Sequence, residues 1–373
     1  MIKVKNLKKC SGCGACVDAC PKNAVARIQV NGFSYPEVDA KKCDDCGRCE
    51  EVCPHLHTLP VSRGERAYIA YTDESLRKQS SAGGVFAILA LRTLAAGGVV
   101  FGAAYNDGGG CSHRYIEDAD DLHLLLGRKY VESDIGDSYL RAKDFLLEER
   151  EVLFSGTPCQ IAGLKFFLNA PYSNLLTVEV GCGGVAGETV WRSFLKYMDE
   201  PKKVDIVDSV DGEENRAGIR FSYENGEERT LSRRDTAIHK AITQGLGIRP
   251  SCEECTMGKK RSCADLTLRR YNPAIDDSGL NIRRQPMTLV ICRNASGSRA
   301  LAESASLLTV KEITREEAYR HVSRADREKC YADRSAAFVR SLTDMPFDKA
   351  LEKYSKNGFF KTILKAIASI FVK

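Results

Sequence analysis

The sequence predicts an α+β protein with a small cysteine-rich module, a mixed α/β domain and a helical C-terminus. The first observation behind this prediction is a run of four cysteines that occurs twice before residue 55. The second is that, from residue 65 onward, short apolar segments of strand length alternate with segments of helical periodicity. The third is that the chain after about residue 312 is charged and mainly helical in pattern. We therefore expect three parts, at residues 1–60, 65–310 and 311–373.

The cysteine-rich module contains two copies of the pattern C-x2-C-x2-C-x3-C-P, which end at Pro21 and Pro54. This spacing is typical of bacterial ferredoxins with two 4Fe–4S clusters, in which the fourth cysteine of each run ligates the other cluster. Gly12, Gly14 and Gly47 suit the tight turns between ligands, because glycine tolerates positive φ. We assign one cluster to Cys10, Cys13, Cys16 and Cys53, and the second to Cys43, Cys46, Cys49 and Cys20. The module is thus predicted to be a dicluster ferredoxin domain that carries electrons one at a time.

Disulfides and zinc are the alternatives for these cysteines. A disulfide framework needs an oxidising compartment, and no signal-peptide pattern precedes Cys10. Zinc sites usually pair one C-x2-C with a distant second pair, whereas here three cysteines follow in series. We therefore favour iron–sulfur clusters, and sixteen cysteines without a secretory signal favour a cytoplasmic location.

Charge and hydropathy argue against nucleic-acid binding and against a transmembrane helix. The net charge is +5 over 373 residues, and basic and acidic side chains are interspersed, so we expect no nucleic-acid binding. We find no apolar run of the roughly 18 residues that a transmembrane helix needs.

Local patterns predict the individual elements. In the module, apolar alternation around Asn31-Gly32 predicts a β-hairpin. The next part has predicted strands at 67–71, 98–104, 152–154 and 175–180, and predicted helices at 85–96, 139–149, 164–168 and 189–198. Asn225-Gly226 predicts a second hairpin, and apolar segments follow at 266–268 and 287–291. Strands that alternate with helices indicate a sheet covered by helices.

The end of the chain has the pattern of a basic amphipathic helix. Between Phe360 and Phe371, apolar residues recur at helical spacing, and Lys361 and Lys365 fall elsewhere on the helical wheel. Most amphipathic helices pack inward, whereas some basic ones lie in a membrane interface. We favour a helix docked on the core or on a partner, with peripheral membrane contact as the alternative.

Two short motifs in the second part are candidates for cofactor or substrate contacts. The stretch Ser80-Ser81-Ala82-Gly83-Gly84 opens an apolar helix and suits a phosphate group, although an ordinary helix cap has the same pattern. Thr157-Pro158-Cys159 follows a strand and begins a helix, where a thiolate is favoured, although a small buried cysteine is equally consistent. Since the chain has neither a Gly-x-Gly-x-x-Gly motif nor a Walker loop, a standard nicotinamide or nucleoside-triphosphate site is not indicated.

Further cysteines in loop-like contexts predict a third 4Fe–4S cluster, which needs four ligands. They are Cys159, Cys182, Cys252 and Cys255. Cys263 is an alternative to one of them, whereas Cys111, Cys292 and Cys330 are isolated. The six histidines have no spacing typical of metal ligands.

The chain resembles the coenzyme F-420 hydrogenase/dehydrogenase β-subunit family, in its form fused to an N-terminal dicluster ferredoxin. The matching stretches are SSAGGVF at 80–86, GGVVFGA at 97–103, KYVESDIG at 129–136, VLFSGTPCQIAGL at 152–164 and PSCEEC at 250–255. The resemblance implies a flavin-binding domain at 65–310 that takes FAD and exchanges electrons with the clusters. It also implies a hydride-type substrate, which in better-known members is coenzyme F-420. The flavin or substrate contacts that it implies are Ser80, Ser81, Gly83, Gly84, Lys129 and Thr157.

The chain departs from the family pattern at three places. Gly-Gly-Val-Ala follows Cys182 where the family has His-Gly-Val-Pro, and Arg128 replaces a serine. The family block Asp-Ile-Thr-Leu-Gly-Asp-Phe-Trp-Gly is here Asp-Leu-Thr-Leu-Arg-Arg-Tyr-Asn-Pro, at 265–273. Arg269 and Arg270 either meet an anionic substrate or partner, or are solvated surface residues.

The leading hypothesis is a cytoplasmic iron–sulfur flavoprotein oxidoreductase. It would receive or deliver electrons through a redox partner such as a ferredoxin-type donor, and it would act on a small-molecule substrate. The sequence does not identify a catalytic residue. The alternative is a non-catalytic electron-transfer subunit that docks a partner enzyme.

Overall fold

An eight-stranded sheet organises most of the chain, and a small cysteine-rich module packs beside it. The computed structural model describes residues 2–3, 6–59, 66–80, 82–207, 218–232, 236–255, 257, 261–271, 287–324 and 332–355. The strands are β1 (Val25–Val30), β2 (Phe33–Val38), β3 (Arg66–Tyr71), β4 (Val99–Tyr105), β5 (Cys111–Ile116), β6 (Val152–Gly156), β7 (Leu175–Val180), β8 (Lys203–Val207), β9 (Gly218–Ser222), β10 (Glu228–Ser232), β11 (Leu266–Tyr271), β12 (Met287–Cys292) and β13 (Thr309–Ile313). The α-helices are α1 (Ala15–Asp18), α2 (Arg48–Glu51), α3 (Glu74–Lys78), α4 (Val85–Ala95), α5 (Leu122–Leu125), α6 (Ser138–Leu147), α7 (Pro158–Leu168), α8 (Glu188–Tyr197), α9 (Ala237–Thr243), α10 (Ala295–Glu303), α11 (Arg315–Arg324), α12 (Ala332–Ser341) and α13 (Phe347–Tyr354).

The large sheet has the strand order β13-β3-β12-β11-β7-β6-β4-β5. Strands β4, β6, β7 and β11 are parallel, and the strands outside them pair antiparallel. Successive residues of β4 belong to different apolar clusters, because side chains alternate between the two faces of a strand. Val100 packs in the cluster that contains α4 and α10, whereas Phe101 packs in the cluster that contains α6 and α7. Helices therefore cover both faces, which confirms the predicted mixed α/β fold.

The cysteine-rich module contains the predicted hairpin of β1 and β2. Asn31 and Gly32 have φ values of 50° and 77°, as a two-residue hairpin turn of primed type requires. The short helices α1 and α2 begin after Gly14 and Gly47, whose φ values of 80° and 79° are those of left-handed backbone. The duplication seen in the sequence is therefore also a duplication of local structure.

A second, smaller sheet of β8, β9 and β10 lies in the polar region of the chain. Its β9–β10 turn contains Gly226 at φ 81°, which confirms the hairpin predicted at Asn225-Gly226. The apolar cluster beneath this sheet joins Trp191 of α8 to Phe338 of α12 and Phe347 of α13. Residues after 331 thus pack against elements that come much earlier in the chain.

The predicted helices at 85–96, 139–149 and 189–198 correspond to α4, α6 and α8 to within two residues at each end. The helix predicted to begin at Thr157-Pro158-Cys159 and to include residues 164–168 is α7, which begins at Pro158 and ends at Leu168. The amphipathic segment 360–371 lies outside the described residues. Within the part of the chain that the structure describes, no helix has the length and apolarity to cross a membrane.

Candidate functional site

The first group of cysteines surrounds a cavity of about 470 Å³ in the module. It consists of Cys10, Cys13, Cys16 and Cys53. Burial and the neighbouring sulfurs of Cys10 and Cys53 raise the pKa of Cys16 to about 12. Four thiols that line one cavity suit a role as thiolates bound to a cationic cluster, because metal binding removes the thiol protons.

A second group of cysteines surrounds a smaller cavity at the other end of the module. It consists of Cys20, Cys43, Cys46 and Cys49. Backbone amides donate to its sulfurs, from Ala24 N to Cys20 Sγ at 3.2 Å and from Ile2 N to Cys49 Sγ at 3.3 Å. Hydrogen bonds to sulfur of this kind are among the features that tune iron–sulfur potentials. In both groups, the fourth cysteine of one run lies with the first three of the other.

A third group of cysteines meets at the edge of the large sheet where the parallel strands end. Cys159 is the second residue of α7, directly after β6, and Cys182 lies two residues beyond the neighbouring strand β7. Cys252 ends a 3₁₀ turn, Pro250–Cys252, and Cys255 follows three residues later. All four line one cavity of about 690 Å³. Burial raises the pKa of the Cys252 thiol, and the neighbouring thiols of Cys182 and Cys159 raise it further.

The remaining described cysteines lie outside this group. Cys263 is half-buried, and burial raises its pKa. The charges that also act on this pKa are those of Glu179, which raises it, and Lys165, which lowers it, and not those of other thiols. Cys111 and Cys292 are buried on β5 and β12. Cys330 lies outside the described residues. The cavity therefore brings together the four predicted cysteines without the alternative Cys263.

The SSAGGVF stretch forms one wall of the same cavity. Ser80 lines it, and its hydroxyl donates to the carbonyl oxygen of Leu76 at 3.0 Å. Gly84 is the N-cap residue of α4, with φ 81°, and a Cβ on Gly83 would lie 2.3 Å from the carbonyl oxygen of Ala70. These glycines let the loop lie directly against β3. Ser81 lies outside the described residues.

Lys129 is a buried cation in the cavity wall. Its Nζ donates to the carbonyl oxygens of Leu126 at 2.5 Å and Leu124 at 3.2 Å, and it lies 5.6 Å from the centre of the Tyr105 ring. Burial lowers the pKa of Lys129 to about 8. Its side chain thus remains charged near neutral pH while it faces the cavity. Arg128, Arg269 and Arg270 line the cavity as well, which makes the cavity wall rich in cationic groups.

A chain of hydrogen bonds that the sequence did not predict connects the cavity wall to Cys159. His113 Nε2 contacts the carbonyl oxygen of Ser155 at 3.0 Å, so that nitrogen carries the proton, and Ser133 Oγ donates to Nδ1 at 2.8 Å. Gln160 Nε2 donates to Ser133 Oγ at 3.1 Å, and Gln160 Oε1 accepts from the amide and hydroxyl of Thr157. Burial lowers the pKa of His113 to about 4, which keeps the ring neutral. The only sequence signal was the presence of Ser133 in KYVESDIG and of Gln160 in VLFSGTPCQIAGL, two of the stretches that match the family.

The third group of cysteines lies next to the module. Ser11, Gly12 and His55 of the module also line the large cavity. Helix α7 packs so closely on the first cysteine loop that a Cβ on Gly163 would lie 3.1 Å from Cys13 Sγ. Tyr139 Oη donates to the carbonyl oxygens of Cys13 at 2.8 Å and Gln160 at 2.9 Å. The first and third groups are thus separated by little more than one helical turn and one tyrosine.

Comparisons with known proteins identify the families to which two parts of the chain are similar. Residues 9–56 match the family model of the 4Fe-4S dicluster domain, and residues 149–316 match that of the C terminus of the coenzyme F420 hydrogenase/dehydrogenase β subunit. One similar solved structure is a chain of the F420-reducing [NiFe] hydrogenase complex from Methanosarcina barkeri, with 15% identity and a TM-score of 0.47, covering 72% of this chain and 91% of that one. Among curated proteins, no significant match is found. The chain is therefore an iron–sulfur electron-transfer protein that joins a 4Fe–4S dicluster domain to a region related to the coenzyme F420 hydrogenase/dehydrogenase β subunit.

Proposed function

We propose that the chain is a flavin-dependent iron–sulfur oxidoreductase with three 4Fe–4S clusters. The first two would be held by the two cysteine groups of the module, in residues 1–60. The third would be held by Cys159, Cys182, Cys252 and Cys255, in a flavin domain that spans residues 65–310. A cytoplasmic location suits this proposal, because a reducing compartment keeps free thiols available as ligands.

The observation that carries the proposal is the convergence of four cysteines and the family motifs on one cavity. Its volume of about 690 Å³ lies in the range of small-molecule sites. Gly84, Lys129 and Thr157 line it together with the four cysteines, although they are far apart in the sequence. The chain of hydrogen bonds from His113 fixes the side chains at the start of α7, beside Cys159.

The residues of the cavity fit FAD by charge as well as by size. The pyrophosphate of FAD is anionic, and Lys129 and Arg128 supply cationic groups at the cavity wall. FAD would couple one-electron cluster chemistry to hydride transfer. In that exchange two electrons from the clusters and one proton make the hydride given to the substrate, and the reverse reaction returns two electrons. A ferredoxin-type protein would supply or remove them, and the substrate would be a hydride acceptor of the deazaflavin class such as coenzyme F-420.

The replaced family block favours a second candidate, a non-catalytic electron-transfer subunit. Strand β11 carries Arg269 and Arg270 where the family has Gly-Asp, so the cavity wall differs at the position of that motif. In this second candidate, the module carries electrons to a partner enzyme and no flavin is bound.

The test is the content of iron, sulfide and flavin per chain after strictly anaerobic purification. We expect about twelve irons and one FAD, and in the Cys182→Ser variant about eight irons, because four irons leave with the third cluster. Cys263→Ser is the matched control, since Cys263 lies nearby but outside the group, and it should keep all irons. About eight irons without flavin in the parent protein would instead support the electron-transfer subunit.

A further inference from the structure

Arg249 lies buried between the first cysteine loop of the module and the segment that leads to Cys252. Its side chain is 1% exposed, and Nη2 lies 2.8 Å from Oε1 of Glu132. Nη1 donates to the carbonyl oxygen of Cys10 at 3.1 Å, and Nη2 donates to that of Ser34 at 2.7 Å. The guanidinium group therefore bonds both to the module, at its first cysteine loop and its hairpin, and to the second part of the chain.

The surroundings of Arg249 are shaped around its charge. Its Cζ lies 4.7 Å from the centre of the Tyr35 ring and 5.1 Å from that of Phe33, so two aromatic faces of the hairpin enclose the cation. A Cβ on Gly12 would lie 2.4 Å from Nη2, so only glycine fits beside it. Gly12 stands between the predicted ligands Cys10 and Cys13. Both backbone and rings thus hold a permanent positive charge against the ligand loop.

Glu132 balances this charge from the opposite side. Both of its carboxylate oxygens accept from Arg249, and no other described side chain donates to them. Its backbone is fixed too, because Glu132 N donates to the carbonyl oxygen of Ala186. The pair is therefore a buried dipole, whose guanidinium end bonds directly to the Cys10 loop while the carboxylate end bonds only to the guanidinium.

We infer that the Arg249–Glu132 pair tunes the reduction potential of the cluster held by Cys10, Cys13, Cys16 and Cys53. Neither residue is a ligand, and both act on the cluster through their charges. Reduction adds one negative charge to a cluster, and a fixed cation in a low-dielectric interior favours the reduced state. Arginine is suited to this role because it does not lose its proton in proteins. The inference rests on the proposed function only for the presence of this cluster.

The test is a redox titration of the anaerobic holoprotein monitored by electron paramagnetic resonance. In Arg249→Met, we expect the reduction potential of one cluster to fall by about 59 mV. For a one-electron couple, this shift corresponds to an approximately tenfold lower ratio of reduced to oxidised cluster at a fixed potential. In Glu132→Gln, which keeps the guanidinium, the same potential should rise, and Arg249→Lys should stay closer to the parent. Opposite shifts from the two partners distinguish an electrostatic role from loosening of the module, which would move both variants in one direction.

Arg293→Met is the matched control, because Arg293 also forms a buried ion pair with a glutamate. Its side chain is 2% exposed and its Nη2 lies 3.4 Å from Oε1 of Glu179, but Arg293 lines none of the cavities at the three cysteine groups. Its variant should leave the cluster potentials near those of the parent. Equal potentials in Glu132→Gln and the parent, with full iron content in both, would overturn the inference. Absence of iron from the parent module would instead overturn the ligand assignment itself.

Discussion

At the residue scale, burial changes the ionisation of Lys129. The side chain is held by two carbonyl oxygens and an aromatic ring, and its depressed pKa places the loss of its charge close to physiological pH. Desolvation disfavours the charged form of a lysine, so the pKa falls. An anion in the cavity would stabilise that charged form again, and anion binding must therefore depend on pH.

We predict that the retention of FAD falls as the pH rises through about 8. Below this pKa Lys129 is charged and attracts the pyrophosphate, and above it the attraction is lost. Lys129→Met should weaken FAD binding about tenfold near neutral pH, or about 1.4 kcal/mol, and should remove the pH dependence. The measurement is FAD retention when the holoprotein is dialysed at a series of pH values.

Lys143→Met is the control for the Lys129 prediction. Lys143 also lies over an aromatic ring, 5.9 Å from the centre of Phe167, but it is on α6 and not in the cavity wall. Its variant should retain FAD as the parent does. The same pH profile in Lys129→Met and in the parent would show that Lys129 does not contact the flavin.

Residues of the site differ in how far the sequence could predict them. The cysteine runs were recognisable because cluster ligands repeat at fixed short spacing. Arg249 and Glu132 were not, since 117 residues separate them and only the fold places the guanidinium against Cys10. Ser80 was predicted from its motif, but the sequence could not show that its hydroxyl donates to Leu76 within α3 and its C-terminal turn.

At the scale of elements, α7 joins the cysteine-rich module to the large cavity. Its N-terminus presents Cys159 to the cavity, and its middle packs on α1 of the module. Gly163 makes this approach possible, because a Cβ there would lie 2.9 Å from Tyr139 Oη and 3.1 Å from Cys13 Cβ. A single helix therefore sets the distance between two predicted clusters.

We predict that Gly163→Ala separates α7 from the first cysteine loop. Added volume in a close-packed contact typically lowers the free energy of unfolding by about 1–3 kcal/mol. The measurement is thermal unfolding of the anaerobic protein, together with its iron content, which should fall as the loop moves. Gly110→Ala is the control, because the nearest heavy atom to a Cβ there is Asn106 Nδ2 at an ordinary 3.5 Å. A Gly163→Ala variant with the stability and iron of the parent would contradict the contact.

The elements that the sequence predicted are those with a local signal. Strand β6 is wholly buried, α4 is largely buried and apolar, and the β1–β2 and β9–β10 turns contain Asn-Gly. Strand β5 was missed because its pattern includes His113 and Arg114, polar residues whose partners lie elsewhere in the chain. Asp265, the first residue of the altered family block, has a structural role. Its carboxylate accepts a hydrogen bond from Thr177 N at 2.7 Å and so connects the start of β11 to β7.

At the scale of the whole molecule, the three cysteine groups adjoin one another in a line, with the first group between the second and the third. Cys46 of the second group is exposed, whereas Cys49 of that group is close enough to Cys16 of the first group to raise its pKa. The first group in turn adjoins Cys159 through Gly163 and Tyr139. Sequence spacing predicted the membership of the first two groups and loop-like context suggested that of the third, but their order along a line is a property of the fold alone. Electrons from a protein donor should therefore enter at the second group.

This order predicts that the entry point and the flavin can be separated by mutation. Cys46→Ser should slow the reduction of bound flavin by a reduced bacterial ferredoxin at least about tenfold, a barrier increase of about 1.4 kcal/mol. Reduction by a small chemical reductant that enters the large cavity should be unchanged, because that route bypasses the module. Cys292→Ser, at a buried cysteine of β12 that lines none of the three cavities, is the control for both rates. If Cys46→Ser slows both reactions equally, or neither, electrons do not pass along this line, and a protein donor must reach the flavin by another face.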